Sequence, residues 1–200
     1  SPFGSISHQH ADQNAFYVAV GDKALAIPSG HYGPYYGARH HAEWTRATKA
    51  QNAILVNGRG QVIRDHRASG RIANFKHNGQ ISYVCGDATP AYMGRLDLWK
   101  RHIFFVRPGL IVIVDEVEAP EPSTFQWLLH ALEEMDANEA SQQVTINHEG
   151  RRLAVELFST LDEPLAFSQS DQFDTPYRAG LPEDREEHEP NHYHFTAETT

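Results

Sequence analysis

Two histidines two positions apart, His8 and His10, form the densest group of chemically active side chains near the start of the sequence. On an extended segment alternate side chains point to the same side, so both imidazoles would share one face. Such a pair can bind a metal ion or divide acid and base roles. The pattern is short, however, and structural or surface histidines also produce it. A catalytic pair, a metal site and a structural pair are therefore open interpretations.

The residues that follow this pair exclude one metal-binding pattern. A cupin-type centre places a glutamate shortly after its second histidine on the same strand, whereas residues 11–16 contain no glutamate. We therefore reject the cupin interpretation. A metal-dependent hydrolase built on the histidines, of which the chain has 13, is a further alternative because imidazole is a common metal ligand.

A second concentration of such side chains lies in residues 31–46, HYGPYYGARHHAEWTR. Tyrosine and tryptophan rings can stack on sugar rings, and arginine and histidine can pair with carboxylates. The glycines and polar aromatics are unsuited to a core strand, and long ordered loops often carry function. The segment is predicted to be a loop that contacts an anionic saccharide, or an aromatic loop packed over the end of a sheet. The candidate contact residues are Tyr35, Tyr36, Arg39, His40 and Trp44.

Short strands must position both groups, because runs of β-branched and aromatic residues recur between turn signals along the whole chain. Asn-Gly at 78–79 and Arg-Pro-Gly at 107–109 are turns of known chemistry. This spacing predicts an all-β fold, an antiparallel two-sheet β-sandwich, as a single domain over residues 1–200 with a small separate C-terminal sub-sheet as a variant. Only residues 132–140 look helix-like. The predicted strands cover residues 14–21, 23–27, 53–57, 71–75, 80–85, 96–106, 110–118, 125–132, 143–147, 152–159, 165–168 and 192–198.

Composition narrows the functional classes. The formal net charge of −9 argues against nucleic acid, whose binding depends on an excess of lysine and arginine. An acidic polysaccharide is compatible, because a local basic cleft can exist on an acidic protein. No run approaches the roughly 18 apolar residues of a membrane-spanning helix, and the lone Cys85 allows no intrachain disulfide. The sequence leaves the compartment open between periplasm and cytoplasm.

Four sequence blocks in a fixed order resemble the heparinase II/III-like family of polysaccharide lyases. They are SISHQHADQNAFYVAVGDKALAIPSGHY, HHAEWTRATKAQNAILVNGRGQ, HIFFVRPGLIVIVDEVE and FQWLLHAL. The similarity runs from residue 5 to about residue 135 and looks closest to the alginate and oligo-alginate lyase branches. Several blocks with matching order are more specific than any one of them.

This resemblance implies a supersandwich-like β-sandwich that works with an N-terminal (α/α) toroid, which we expect to be missing from this sequence. The implied reaction is β-elimination on a uronic-acid-containing polysaccharide or oligosaccharide, alginate-like or heparin-like. Elimination needs the uronate carboxylate neutralised, a base for the C5 proton and an acid for the leaving oxygen. By motif position His8 is the base or the carboxylate neutraliser. Because the toroid supplies the other groups, we expect these 200 residues to be inactive alone.

The resemblance also implies a metal position, and the sequence departs from the family there. His10 falls on a usual zinc ligand, but the family's aspartate position reads Pro28 and its next histidine position reads Gln51. Proline offers no side-chain ligand, and a glutamine carbonyl is a poor zinc ligand. We expect no required cofactor. A structural zinc is the alternative, and without one His10 is expected to be a hydrogen-bonded partner.

Other roles are open at the level of single residues and of the chain. Trp44 is predicted to stack on sugar, or to be an aromatic wedged at the loop base. His130 is predicted to be a hydrogen-bonded core residue, Gln61 to satisfy loop backbone, and Asp115 to be a turn or cap group. The alternative to a lyase is a non-catalytic carbohydrate-binding or domain-packing β-sandwich module. The expected partners are an acidic saccharide and the helical domain, with no nucleic acid and no membrane.

Overall fold

A computed structural model describes residues 9–30, 38–179 and 192–199. Described strands pair antiparallel with their neighbours throughout. Short helical turns cover His41–Thr45, Thr48–Ala50 and Thr89–Tyr92. The strands are β1 (Val18–Val20), β2 (Lys23–Ala26), β3 (Ile54–Val56), β4 (Arg71–His77), β5 (Ile81–Asp87), β6 (Leu98–Val106), β7 (Leu110–Glu118), β8 (Phe125–Ala131), β9 (Asp136–Asn138), β10 (Gln143–His148), β11 (Arg151–Glu156), β12 (Ala166–Ser170) and β13 (Tyr193–Glu198).

The chain folds as two compact units. Unit 1 comprises residues 1–14 and 61–123, and unit 2 comprises residues 15–60 and 124–200. Each unit is therefore built from separated stretches of sequence, which no linker signal in the composition could indicate. The single domain over residues 1–200 stays a prediction.

Unit 1 is built on a four-stranded sheet in the order β4-β5-β6-β7. Asn78 accepts a hydrogen bond from the Ile81 amide at 2.8 Å, and Gly79 has a φ of +87°, so the predicted Asn-Gly turn joins β4 to β5. The edge strand β7 alternates in burial, and the three apolar residues Leu110, Val112 and Val114 on one of its faces are 58%, 41% and 47% exposed.

Unit 2 contains a four-stranded sheet in the order β12-β13-β8-β3, a three-stranded sheet in the order β11-β10-β9 and the hairpin β1-β2. One buried apolar cluster draws on all three, with Leu25 from β2, Leu129 from β8, Ile146 from β10 and Phe195 from β13. Each side chain of this size contributes roughly 1.5–3 kcal/mol on full burial. This cluster fixes β13 beside β8, where His194 lies opposite His130.

The helix-like stretch at residues 132–140 differs from the sequence interpretation. It contains β9, whose residues are exposed and pair with β10 from Gln143↔Asn138 onward. Pairing with an existing strand outweighs the weak local helix preference of so short a stretch. None of the helices among the described residues has the length and apolar character to cross a bilayer.

Candidate active site

His8 lies outside the described residues, and the described chain begins beside it at Gln9. His10 is half-buried, and residues 9–14 form bends and turns. The first strand after Gln9 begins at Val18, whereas the sequence interpretation began it at residue 14. No strand covers residues 9–14. The prediction that both imidazoles share one strand face is therefore not supported over this range.

The buried side-chain amide of Gln61 anchors this segment within unit 1 by bonding the backbone of Gln13. The Gln13 backbone N–H donates to Gln61 Oε1 at 3.0 Å, and Gln61 Nε2 donates back to the Gln13 carbonyl at 2.8 Å. The reciprocal bonds satisfy two backbone groups that burial would otherwise leave without partners. The prediction that Gln61 serves loop backbone is confirmed.

Arg101 supports the next residue of the same segment. Its side chain is 1% exposed and donates to both oxygens of Asp115, at 2.8 and 2.9 Å, and to the Asn14 carbonyl at 2.8 Å. Trp99 Nε1 also donates to Asp115, at 3.0 Å. The cap or turn role predicted for Asp115 is wrong, because Asp115 lies within β7 and is the counter-ion of a buried arginine.

In unit 2, imidazoles form hydrogen bonds at the described residues on either side of residues 31–37. The Gly30 amide donates to His192 Nδ1 at 2.9 Å. On the other side, His40 Nδ1 donates to the Thr175 carbonyl at 2.7 Å. The acceptor role of Nδ1 places the proton of neutral His192 on Nε2, whereas the carbonyl partner of His40 places its proton on Nδ1. We call Ser29, Gly30, His40, Trp44, His192 and His194 the loop-anchor cluster.

The centre of the loop-anchor cluster is a chain of three hydrogen-bonded side chains. Trp44 Nε1 donates to Ser29 Oγ at 3.0 Å, and Ser29 Oγ lies 2.8 Å from His194 Nε2. His194 Nδ1 lies 3.2 Å from the Gln172 carbonyl, which can only accept. The proton of neutral His194 is therefore on Nδ1, and the Ser29 hydroxyl donates to Nε2.

Burial keeps two imidazoles of this region uncharged. It lowers the pKa of His194 to about 4 and the pKa of His130 to about 3. The nearby His194 lowers the pKa of His130 further. His130 is 1% exposed, with Asn52 Oδ1 and the Lys49 carbonyl each 3.0 Å from a ring nitrogen. His130 is thus the hydrogen-bonded core residue that the sequence predicted.

The predicted saccharide-contact residues fall into three groups. Tyr35 and Tyr36 lie outside the described residues. Arg39 is exposed and pairs with Glu43 at 3.0 Å. His40 and Trp44 are 0% and 4% exposed, and Phe173 packs edge-on against both rings. The burial of Trp44 agrees with an aromatic at the loop base, and its contact with sugar stays a prediction.

The residues at the family's metal positions do not fit a zinc ion. Gln51 is 4% exposed, and its amide nitrogen donates to the Thr45 carbonyl at 3.2 Å, so this side chain already serves backbone. Pro28 has no ligand atom in its side chain. Across the described ranges, no group of three or more histidine, cysteine, aspartate or glutamate side chains is arranged to hold a metal. A zinc held through His10 would need ligands from elsewhere.

Sequence reasoning did not single out Ser29, Arg101 or Asn14. Ser29 and His194 are 165 positions apart, and Arg101 and Asn14 are 87 apart, so no local pattern joins them. Arg101 carried one available signal, since an arginine inside the apolar run of β6 needs a counter-ion.

Comparison with known proteins defines the family. The family model described as "Heparinase II/III-like, C-terminal" matches residues 1–186. The chain belongs to this family. The heparinase II/III-like chain has no match among curated proteins.

Solved structures similar to this heparinase II/III-like chain confirm the predicted β-sandwich fold class. Heparan sulfate lyase HepC from Pedobacter heparinus is 14% identical with a TM-score of 0.72, over 96% of this chain and 28% of that one. A heparinase III structure is 16% identical with a TM-score of 0.72, over 96% and 28%. The heparinase III-BT4657 gene product is 15% identical with a TM-score of 0.69, over 96% and 31%. The chain thus spans less than a third of these structures.

Proposed function

We propose that the protein containing this chain is a polysaccharide lyase that cleaves a uronic-acid-containing polysaccharide or oligosaccharide by β-elimination. The observation that carries the proposal is the family match over residues 1–186. The hydrogen-bonded turn at Gln13 and Asn14 supports it, because a group that acts on a sugar must be held in place. The similar structures are heparin-type lyases, which favours a heparin-like substrate, whereas the sequence blocks favour an alginate-like one.

In this proposal His8 is the base for the C5 proton or the group that neutralises the uronate carboxylate. Arg39 is exposed and would pair with a carboxylate of the bound saccharide. Tyr35 and Tyr36 would contact the sugar from the same loop. His40 and Trp44, predicted as contacts, enter the proposal chiefly as the buried base that holds the loop.

The test is the release of unsaturated uronate, followed by its ultraviolet absorbance, from alginate, heparan and hyaluronan fragments with the full-length protein. We expect turnover on one of them, and a fall of about 10²-fold or more in kcat for His8→Ala, the typical size of an acid–base contribution. The matched control is His66→Ala, since His66 is 80% exposed in its side chain and has no assigned role.

Two outcomes would contradict the proposal. Absence of unsaturated product from every acidic substrate, with saccharide binding retained, would favour the carbohydrate-binding module. If His8→Ala leaves turnover unchanged, His8 takes no part in the reaction. A substrate panel in which only heparan or only alginate is cleaved would decide between the two substrate classes.

A further inference from the structure

The turn at Gln13 and Asn14 is held in unit 1 by three separate sets of contacts. Gln61 forms the two reciprocal bonds to Gln13. Asn14 Nδ2 donates to the Gly86 carbonyl at 3.0 Å, and Arg101 donates to the Asn14 carbonyl at 2.8 Å. Four hydrogen bonds to two consecutive residues fix the course of the chain there far more tightly than an ordinary surface turn requires.

The side chains of the turn lie so close to two glycines that a Cβ at either position would displace them. A Cβ at Gly86 would lie 2.0 Å from Asn14 Oδ1 and 3.0 Å from its Cγ, and a Cβ at Gly70 would lie 2.7 Å from Gln13 Oε1. Asn14 has a φ of 60°, a left-handed conformation that asparagine and glycine tolerate best. The sheet and the turn are therefore matched in shape.

The arginine that supports the turn cannot easily move. Arg101 forms a two-bond pair with Asp115, and β6 and β7 place these residues directly opposite each other. Removing one partner of a buried pair leaves an uncompensated charge, which is strongly destabilising. The guanidinium group is thus a fixed donor toward the Asn14 carbonyl.

We propose that Asn14, Gly86 and Arg101 are positioning residues that hold the segment carrying His8, an inference that rests on the proposed function. Between His8 and Asn14 the chain is packed at Ala11 and Gln13, which are 4% and 8% exposed. A shift of the turn therefore displaces the described segment from Gln9 onward, which directly follows His8 in the sequence. A displacement of about 1 Å in a reacting group can cost about 100-fold in rate.

The test is a double-mutant cycle in the full-length lyase. Gly86→Ala places a methyl group where the Asn14 amide lies, so we expect kcat to fall about 10- to 100-fold with KM nearly unchanged. Asn14→Gly keeps the left-handed backbone and removes the clashing atoms. The double variant is therefore expected to show the same activity as Asn14→Gly alone, a non-additive result expected of residues in contact.

The matched control is Gly109→Ala in the same unit, because a Cβ at Gly109 meets nothing within 4 Å. We expect it to keep the parent kcat. A smaller folded fraction would lower kcat without moving the pH profile. The acidic limb of the kcat/KM profile is therefore recorded for each variant, and we expect it to shift in Gly86→Ala and to return in the double variant.

The outcomes separate this inference from the proposed function. If His8→Ala abolishes turnover while Gly86→Ala matches Gly109→Ala in rate and pH profile, the positioning role is wrong. If His8→Ala leaves turnover intact, His8 takes no part in the reaction and has no role to be positioned for, whereas the proposed function itself fails only if no acidic substrate yields unsaturated product. If Gly86→Ala does not fold, Arg101→Lys tests the inference instead. One lysine ammonium cannot form both the two-bond pair with Asp115 and the bond to the Asn14 carbonyl. An unchanged kcat and pH profile in Arg101→Lys would overturn the inference.

Discussion

Two uncharged imidazoles, His194 of the loop-anchor cluster and His130 beside it, should make this region sensitive to acid. The pKa of His194 falls to about 4 and that of His130 to about 3, both from an ordinary value of 6.5 and both mainly through burial. The unfolded chain therefore takes up protons first as the pH falls. The stabilisation is complete above about pH 6.5 and is lost between about pH 6.5 and 4 for His194 and between about pH 6.5 and 3 for His130, by roughly 1.4 kcal/mol per pH unit for each imidazole.

We predict that His194→Gln flattens this pH dependence. The variant loses the bond to Ser29 and is less stable at pH 7, but it no longer gains a proton on unfolding. The slope of the unfolding free energy between pH 6.5 and 4 should fall by up to about 1.4 kcal/mol per pH unit, measured by urea titration. His66→Gln, at an exposed position, is the control. An unchanged slope in His194→Gln would contradict the neutral imidazole.

At the scale of elements, the helical turn Thr48–Ala50 packs against Gly60 with no spare room. A Cβ at Gly60 would lie 2.3 Å from Thr48 Cβ and 3.2 Å from Leu55 Cδ2. We predict that Gly60→Ala destabilises the chain by about 1–3 kcal/mol, the usual cost of overpacking. Urea midpoints would measure this, with Gly109→Ala as the control because its surroundings are open. Equal midpoints would show that the turn can move aside.

The strands were largely predictable and the anchoring contacts were not. Alternating and apolar runs, with Asn-Gly and Pro-Gly turns, placed twelve of the thirteen strands found among the described residues, because period and turn chemistry are local properties. The strand β9 was missed because its three exposed residues carry no pattern. The Ser29–His194 and Arg101–Asn14 bonds depend on pairing between distant strands, so the sequence named the loop and the histidine segment but not what holds them.

At the scale of the whole molecule, the chain spans 28–31% of the similar structures. We predict that the 200-residue chain alone releases no measurable unsaturated uronate, because elimination also needs an acid for the leaving oxygen that we expect from the helical domain. The assay compares equal concentrations of the chain and the full-length protein on the same substrate. Appreciable product from the chain alone would place all of the required groups within it.

The exposed side of β7 favours self-association of the separate chain in solution. Leu110, Val112 and Val114 form an apolar row on a strand at the edge of its sheet, and open edges with apolar side chains template contacts between copies. Concentrated stocks of the separate chain would then scatter light and elute early on gel filtration. Val112→Lys should reduce this self-association, because a charge on an edge strand discourages pairing.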